Sequence, residues 1–309
     1  MLSKKSLIYV AGHTGMVGSS IVRVLKKNNF NNILLTNRKN LDLTNQHKTY
    51  LFLKKKKPKF IFLAAAKVGG IQANNIYRAD FIMENLLVQN NVIIGAFKAG
   101  IKNLLFLGSS CIYPKVNNGP IKEDRLLAGK LEPTNEPYAV AKIAGIKLCE
   151  NLNSQYKTRF KSLMPTNLYG QGDNYDLKNC HVVPALIKKI HLAKKFKKKS
   201  ITLWGDGTAK RDLLHVDDLA TAALLFMKKD FKQNYLNIGS GNEISIKELA
   251  KLIMKVLDYN VDIVFDKKKP NGTMSKILDT RLSNRLGWKP LISLKKGIAM
   301  TYNSFLDKK

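Results

Sequence analysis

The stretch Ser6-Leu7-Ile8-Tyr9-Val10-Ala11-Gly12-His13-Thr14-Gly15-Met16-Val17-Gly18 opens with a short apolar run. A glycine-punctuated turn follows, and then an amphipathic helix through about Asn28. Glycine permits a tight turn, lets backbone N–H groups approach a pyrophosphate, and allows the helix to pack close to the strand. In this strand–turn–helix setting, Gly12, His13, Thr14, Gly15, Met16, Val17 and Gly18 read as a dinucleotide cradle.

Strand and helix patterns alternate beyond it. The apolar periodicity predicts strands near 6–11, 32–36, 59–65, 103–109 and 161–165, with helices near 17–28, 44–56, 79–99 and 137–157. Such alternation implies a parallel sheet covered on both faces, with ligands beyond the strand C-termini. Gly12, Ala65, Ser109 and Pro165 all fall just after such strands. The expected fold is α/β, a Rossmann-type doubly wound parallel sheet with a smaller, discontinuous α/β substrate lobe. Residues 1–168 are expected to form the dinucleotide domain, completed by about 201–240. Residues 169–200 and 241–309 are left for the lobe.

The end of the second strand bears on which dinucleotide binds. NAD sites usually place an acid there for the ribose 2′-hydroxyl. This chain has Asn37-Arg38-Lys39, which suits a 2′-phosphate, and Arg38 has the planar fork to bind it bidentately. A solvated basic loop is the plain alternative. Asp42-Leu43 either flanks the adenine or forms a turn.

A second pattern joins the first. Ser109-Ser110-Cys111 closes an apolar stretch, and Tyr138-Ala139-Val140-Ala141-Lys142 begins a helical one. Tyr and Lys four apart share a helix face. A nearby cation favours phenolate in a side chain that ordinarily titrates at about 10. Ser109 is placed to polarise a carbonyl to which the tyrosine gives its proton.

The formal charge is +31, from 53 basic and 22 acidic side chains. Most of the excess is lysine scattered through exposed-looking helical positions, with runs at Lys54–Lys57 and Lys194–Lys199. No nucleic-acid recognition motif accompanies it, so neither nucleic acid nor membrane is expected as a partner. A basic surface would still steer a phosphorylated ligand. The apolar run Phe60–Ala66 is too short to span a bilayer. Cys111, Cys149 and Cys180 are an odd set without metal-ligand spacing, which fits a reducing cytoplasm.

Together these segments resemble the extended short-chain dehydrogenase/reductase family over nearly the whole chain. The likeness rests on GHTGMVG (12–18), AAAKVGGI (64–71), LGSSCIYPK (107–115) and LEPTNEPYAVAKIAGIKLCE (131–150). It continues through MPTNLYG (164–170), HVVPAL (181–186), WGDGT (204–208), Arg211 and LHVDD (214–218). Within the family the resemblance implies conversion of GDP-4-keto-6-deoxy-D-mannose to GDP-L-fucose, by 3,5-epimerisation and NADPH-dependent reduction at C4. It makes Cys111 the epimerisation base, His181 its acid partner and Tyr138 the reductase acid. Lys142 and Ser109 then tune the tyrosine and the carbonyl.

The same resemblance implies that NADP(H) is lined by Leu107, Gly108, Ser109, Ser110, Pro165, Thr166, Asn167 and Leu168. Tyr138, Lys142 and His181 complete that lining. Lys189, Trp204, Arg211 and Asp279 are implied for the GDP-sugar, Trp204 being equally suited to lobe packing. A homodimer through the helices near 79–99 and 137–157 is also implied.

Two departures stand out. Thr14 lies where some relatives carry a cation, and Lys189 stands where arginine is accepted and gives up bidentate geometry. A 4,6-dehydratase would want an Asp-Glu pair where Ser110-Cys111 stand, and a 4-epimerase an acid near Asn37-Arg38. A non-catalytic cofactor-binding regulator would have no need of Ser109, Cys111, Tyr138, Lys142 and His181 together.

Overall fold

The computed structural model describes residues 2–116, 119–229, 231, 233–269, 271 and 273–307. The first half builds β1 (Ile8–Ala11), α1 (Met16–Lys27), β2 (Ile33–Leu34), α2 (Gln46–Lys56) and β3 (Phe60–Leu63). It continues with α3 (Ile71–Ile76), α4 (Arg78–Lys98), β4 (Asn103–Leu107), α5 (Glu136–Tyr156) and β5 (Arg159–Pro165). The second half contains β6 (Asn167–Tyr169), α6 (Val182–Lys195), β7 (Ser200–Trp204), β8 (Lys210–His215), α7 (Val216–Lys228) and β9 (Tyr235–Ile238). It ends with β10 (Glu243–Ser245), α8 (Ile246–Leu257), β11 (Asp262–Asp266), α9 (Arg281–Arg285) and α10 (Leu294–Leu306).

Six strands make one parallel sheet in the order β2-β1-β3-β4-β5-β9. Every residue of β1 and β3 is buried, because helices cover both faces. Their sequences are therefore continuous apolar runs rather than alternating ones. On one face, Ile21 and Leu25 of α1 meet Phe226 of α7. On the other, Leu53 of α2, Val92 and Ile93 of α4 and Ile146 of α5 pack together. The strand order reverses between β1 and β3, which opens a crevice above their C-terminal ends.

The lobe has two small sheets, β10-β8-β6 and β11-β7. Helices α6, α8 and α10 close its own core around Tyr169, Leu186, Ile253 and Ile298. This division differs from the one expected from sequence. Residues 201–240 were expected to complete the main domain, yet only α7 and β9 do so. β7 pairs with β11, and β8 bonds β6 and β10, which commits both strands to the lobe.

Conversely, part of the 241–309 segment returns to the main domain. Leu278 bridges to Ile121 and buries in the main core, and Trp288 packs in the core that holds Phe226. Among the described residues no helix is long and apolar enough to cross a membrane.

Candidate active site

The turn after β1 is shaped for an anion. Gly12 has φ of 85°, and a Cβ there would lie 2.6 Å from the Ala65 backbone nitrogen. A Cβ on Gly18 would collide with the Gly12 carbonyl, so both glycines are required for helix and strand to approach this closely. Gly15 caps α1 without a side-chain bond, and no acid occupies the first turn. The first N–H groups of α1 therefore face the crevice at the positive end of a helix dipole. Beside them the His13 Nδ1 is buried without a partner. These features fit a dinucleotide pyrophosphate.

Arg38 stands on the loop after β2 with its side chain 73% exposed. It lies 3.7 Å from Asp42 and 3.9 Å from Glu84, too far for strong hydrogen bonds. Asp42 proves to be a turn residue, because its Oδ1 accepts from the Thr44 N–H (3.0 Å) and hydroxyl (2.8 Å). Those bonds, the backbone one foremost, hold its carboxyl below the usual range, and Arg38 adds to the effect. The Leu43 carbonyl accepts from Asn91 (2.9 Å).

At the end of β4, Leu107-Gly108-Ser109 leads into a single 3₁₀ turn over Ser110–Ile112. The Ser109 hydroxyl accepts from the Cys111 N–H at 3.2 Å. Helix α5, with Pro137 in its first turn, brings Tyr138 and Lys142 to this point. The buried Lys142 ammonium donates to the Leu107 carbonyl (2.9 Å), 4.7 Å from the Phe106 ring centroid and 5.7 Å from that of Tyr138. Burial pushes Lys142 down to about 7.

The phenol of Tyr138 is raised by burial, and further by Cys111, while a hydrogen bond from Ser109 works the other way. Desolvation therefore decides the state of this tyrosine. Lys142, which was expected to lower it, is engaged with a carbonyl instead.

A ligand cleft of ≈ 420 Å³ opens between the sheet edge and the lobe. His181 lines it at the N-terminus of α6, and burial lowers its pKa. Lys189, Trp204 and Arg211 line it too, with Asn167 and Leu168 at the join to the main sheet. Lys189 donates to the Thr202 carbonyl (2.8 Å). Arg211 donates to the carbonyls of Lys210 and Thr273 (2.6 Å each) and of Asn271 (3.2 Å). Burial lowers the pKa of both cations, and no carboxylate bonds either of them among the described residues. Trp204 is 42% exposed, with the Lys269 ammonium 5.8 Å from its ring.

Asp279 does not line this cleft. Its carboxylate is taken by Arg281 at 2.5 Å, and its own N–H by the Ile121 carbonyl. Pro165 ends β5, and Thr166 is tied to the Ile238 and Asp212 carbonyls.

Ser109, Cys111, Tyr138 and Lys142 form one group, and His181 belongs to the cleft. The loop 67–70 has neighbours next to both, with Gly69 beside Phe81 and Gly70 beside Asn179 and Cys180. Phe81 meets Tyr138 edge-on (6.4 Å between centroids), and the Gly70 N–H donates to Asn179 (2.9 Å). A side chain at Gly70 would press on the Cys180 carbonyl.

Three residues to which the sequence pattern assigned no role belong to the site. Cys180 and Asn271 line the cleft, and Asn135 donates to the Cys111 sulfur at 3.3 Å. Only Asn135 lies inside one of the motifs, immediately before the Tyr138 helix.

This fold and site define a nucleotide-binding short-chain oxidoreductase. Residues 8–239 match the NAD dependent epimerase/dehydratase family, and the chain belongs to it. It is 50% identical over 300 residues to the GDP-L-fucose synthase of Sinorhizobium fredii, covering 97% of this chain and 95% of that one. It is 45% identical over 312 residues to the GDP-L-fucose synthase of Escherichia coli K12, covering 98% and 97%. Among solved structures it is similar to MlghC, a GDP-mannoheptose C4 reductase from Campylobacter jejuni with NADP bound. That match has a TM-score of 0.90 and 39% identity, over 99% of this chain and 100% of the other.

Proposed function

We propose that this protein converts GDP-4-keto-6-deoxy-D-mannose to GDP-L-fucose, epimerising C3 and C5 and then reducing C4 with NADPH. The observation that carries this reading is the thiol of Cys111 beside Tyr138, under an amide N–H. A dehydratase or a simple dehydrogenase has no use for a thiol there. The relatives at 45–50% identity support the same reading.

The C4 carbonyl acidifies the protons on both neighbouring carbons. Cys111, as thiolate, takes such a proton and leaves an enolate. His181 returns a proton to the opposite face; the thiol then releases its proton to solvent and the imidazole takes one up before the second carbon reacts in the same way. Loss of hydration lowers the pKa of the free imidazole, and a diphosphate arriving beside Lys189 and Arg211 adds the negative potential that favours its protonated form. Anionic sulfur next to Tyr138 raises the phenol, so the tyrosine keeps its proton through the epimerisation. Once the sulfur is neutral again, Tyr138 gives that proton to the C4 oxygen while Ser109 donates a hydrogen bond to it. Bound NADPH supplies the hydride for C4. The glycine cradle and α1 would hold its pyrophosphate, and Arg38 would meet its 2′-phosphate.

A homodimer through α4 and α5 belongs to this proposal, supported by exposed Met83, Leu87 and Val140 on those helices. So does a cytoplasmic setting, which suits three unpaired cysteines. The test is to incubate the protein with GDP-4-keto-6-deoxymannose in deuterated water without NADPH. Deuterium is expected at C3 and C5. Its absence from both would reduce the protein to a 4-reductase.

A further inference from the structure

We infer that Asn135 is the positioning residue of the epimerisation half-reaction. Its N–H group supports the Cys111 sulfur where that sulfur acts as the base, and its carbonyl oxygen receives a hydroxyl of the sugar. The inference rests on Cys111 being the base, as the proposed function has it, and adds how the chain equips it.

Two observations carry it. The Asn135 Nδ2 donates to the Cys111 Sγ at 3.3 Å. An N–H donor stabilises an anionic sulfur more than a neutral thiol, because charge-assisted hydrogen bonds are the stronger ones. The lysine of the site is directed elsewhere, onto the Leu107 carbonyl, so this amide is the polar side chain seen to contact the sulfur among the described residues. The second observation is the other end of the same amide. The Asn135 Oδ1 is buried with no hydrogen-bond partner, a state that native structures rarely tolerate without a functional reason.

Helix capping does not explain the residue. Asn135 occupies the N-cap of α5 yet makes no side-chain cap bond. The helix start is held by backbone bonds instead, from Ala139 N–H to the Asn135 carbonyl (3.0 Å) and from Asn135 N–H to the Glu132 carbonyl (3.2 Å). The 4-keto-6-deoxy sugar carries hydroxyl donors at C2 and C3, beside the C3–H. One of them can meet the orphan oxygen while the thiolate reaches the neighbouring C–H. Asn135 thereby ties the sulfur and the sugar to a single rigid group.

Asn135→Asp is the discriminating variant. It keeps the size and the N-cap preference of the residue, and removes the donor to sulfur. Asn135→Ala removes both ends. Three quantities are measured on the full-length protein. These are the alkylation rate of Cys111 by iodoacetamide at neutral pH (followed by peptide mass, with Cys111→Ser as blank), the C3 and C5 deuterium exchange of GDP-4-keto-6-deoxymannose, and the NADPH affinity.

We expect both variants to slow alkylation and exchange by about tenfold or more, with NADPH affinity unchanged. Alkylation and exchange at wild-type rates in Asn135→Asp would overturn the inference. So would slow exchange with normal alkylation, because the amide would then act on the sugar alone. A wild-type protein that exchanges neither proton would refute the base assignment itself, and the alkylation rates would still decide whether Asn135 governs the sulfur.

Discussion

The catalytic group at the strand ends and the cleft beneath the lobe treat buried charge in different ways. At the strand ends, burial pushes Lys142 down to about 7 and raises Tyr138. Both side chains are thereby held in or near their neutral forms. In the cleft, Lys189 and Arg211 also lose hydration, but backbone carbonyls bind their N–H groups, and a guanidinium keeps its charge in any protein environment. Proton traffic needs groups that can change state, whereas recognition of an anion needs charge that persists. Under the proposed function the two regions divide those tasks between them.

The largest expected effects separate the two half-reactions within the strand-end group. Cys111→Ser should lower GDP-L-fucose formation by about 10²–10⁴-fold, the usual scale for losing a general base, with NADPH affinity intact. Tyr138→Phe should lower NADPH oxidation on a similar scale while C3 and C5 exchange continues. If Tyr138→Phe abolished exchange as well, the separation of base from acid would collapse.

Arg211→Met probes the cleft side of the comparison. Losing a charge-assisted contact to a diphosphate should raise KM by about 10- to 100-fold with a much smaller change in kcat, read by steady-state kinetics. A fall in kcat at unchanged KM would move Arg211 from recognition to chemistry. Arg38→Ser should weaken NADPH by about tenfold and leave NADH nearly unchanged, measured by fluorescence titration. Equal losses for both cofactors would return Arg38 to the plain basic-loop reading.

The smallest effect concerns stability. A lysine titrates at about 10.4 when unfolded and at about 7 in this site. Between those values the unfolded chain binds the extra proton, so the wild type gains stability as pH rises from 7 towards 10. Lys142→Met lacks this dependence. Its melting temperature should exceed the wild type by a few degrees at pH 7, and the gap should close towards pH 10. A constant gap would mean that Lys142 is not buried against its charge.

The two regions also differ in how far the sequence revealed them. The parallel sheet is readable because each strand from β1 to β4 carries a local apolar run and the helices between them have their own periodicity. The glycine cradle, the Tyr138–Lys142 turn of α5 and the strand-end position of Ser109 follow from that local order. The lobe is less local. β6 and β10 are three residues each, and β8 was not recognised, because Lys210-Arg211-Asp212 breaks the apolar run.

The return of Leu278 and Trp288 to the main core depends on partners far away in sequence, and no pattern near residue 280 announces it. Asp279 illustrates the same limit: its neighbour Arg281 occupies the carboxylate that the resemblance assigned to substrate. Asn135 is silent in the sequence for a related reason. Its importance lies in which atom it touches, and an asparagine before a helix otherwise reads as a cap.

The central claim is that one site both epimerises and reduces. It is tested most directly by mixing the protein with GDP-4-keto-6-deoxymannose and NADPH, following absorbance at 340 nm and identifying the sugar formed. The account expects NADPH oxidation with GDP-L-fucose as the product. Oxidation that yields only the unepimerised 6-deoxyhexose would contradict it, leaving Tyr138 as a reductase acid and Cys111, Asn135 and His181 without a part in the chemistry.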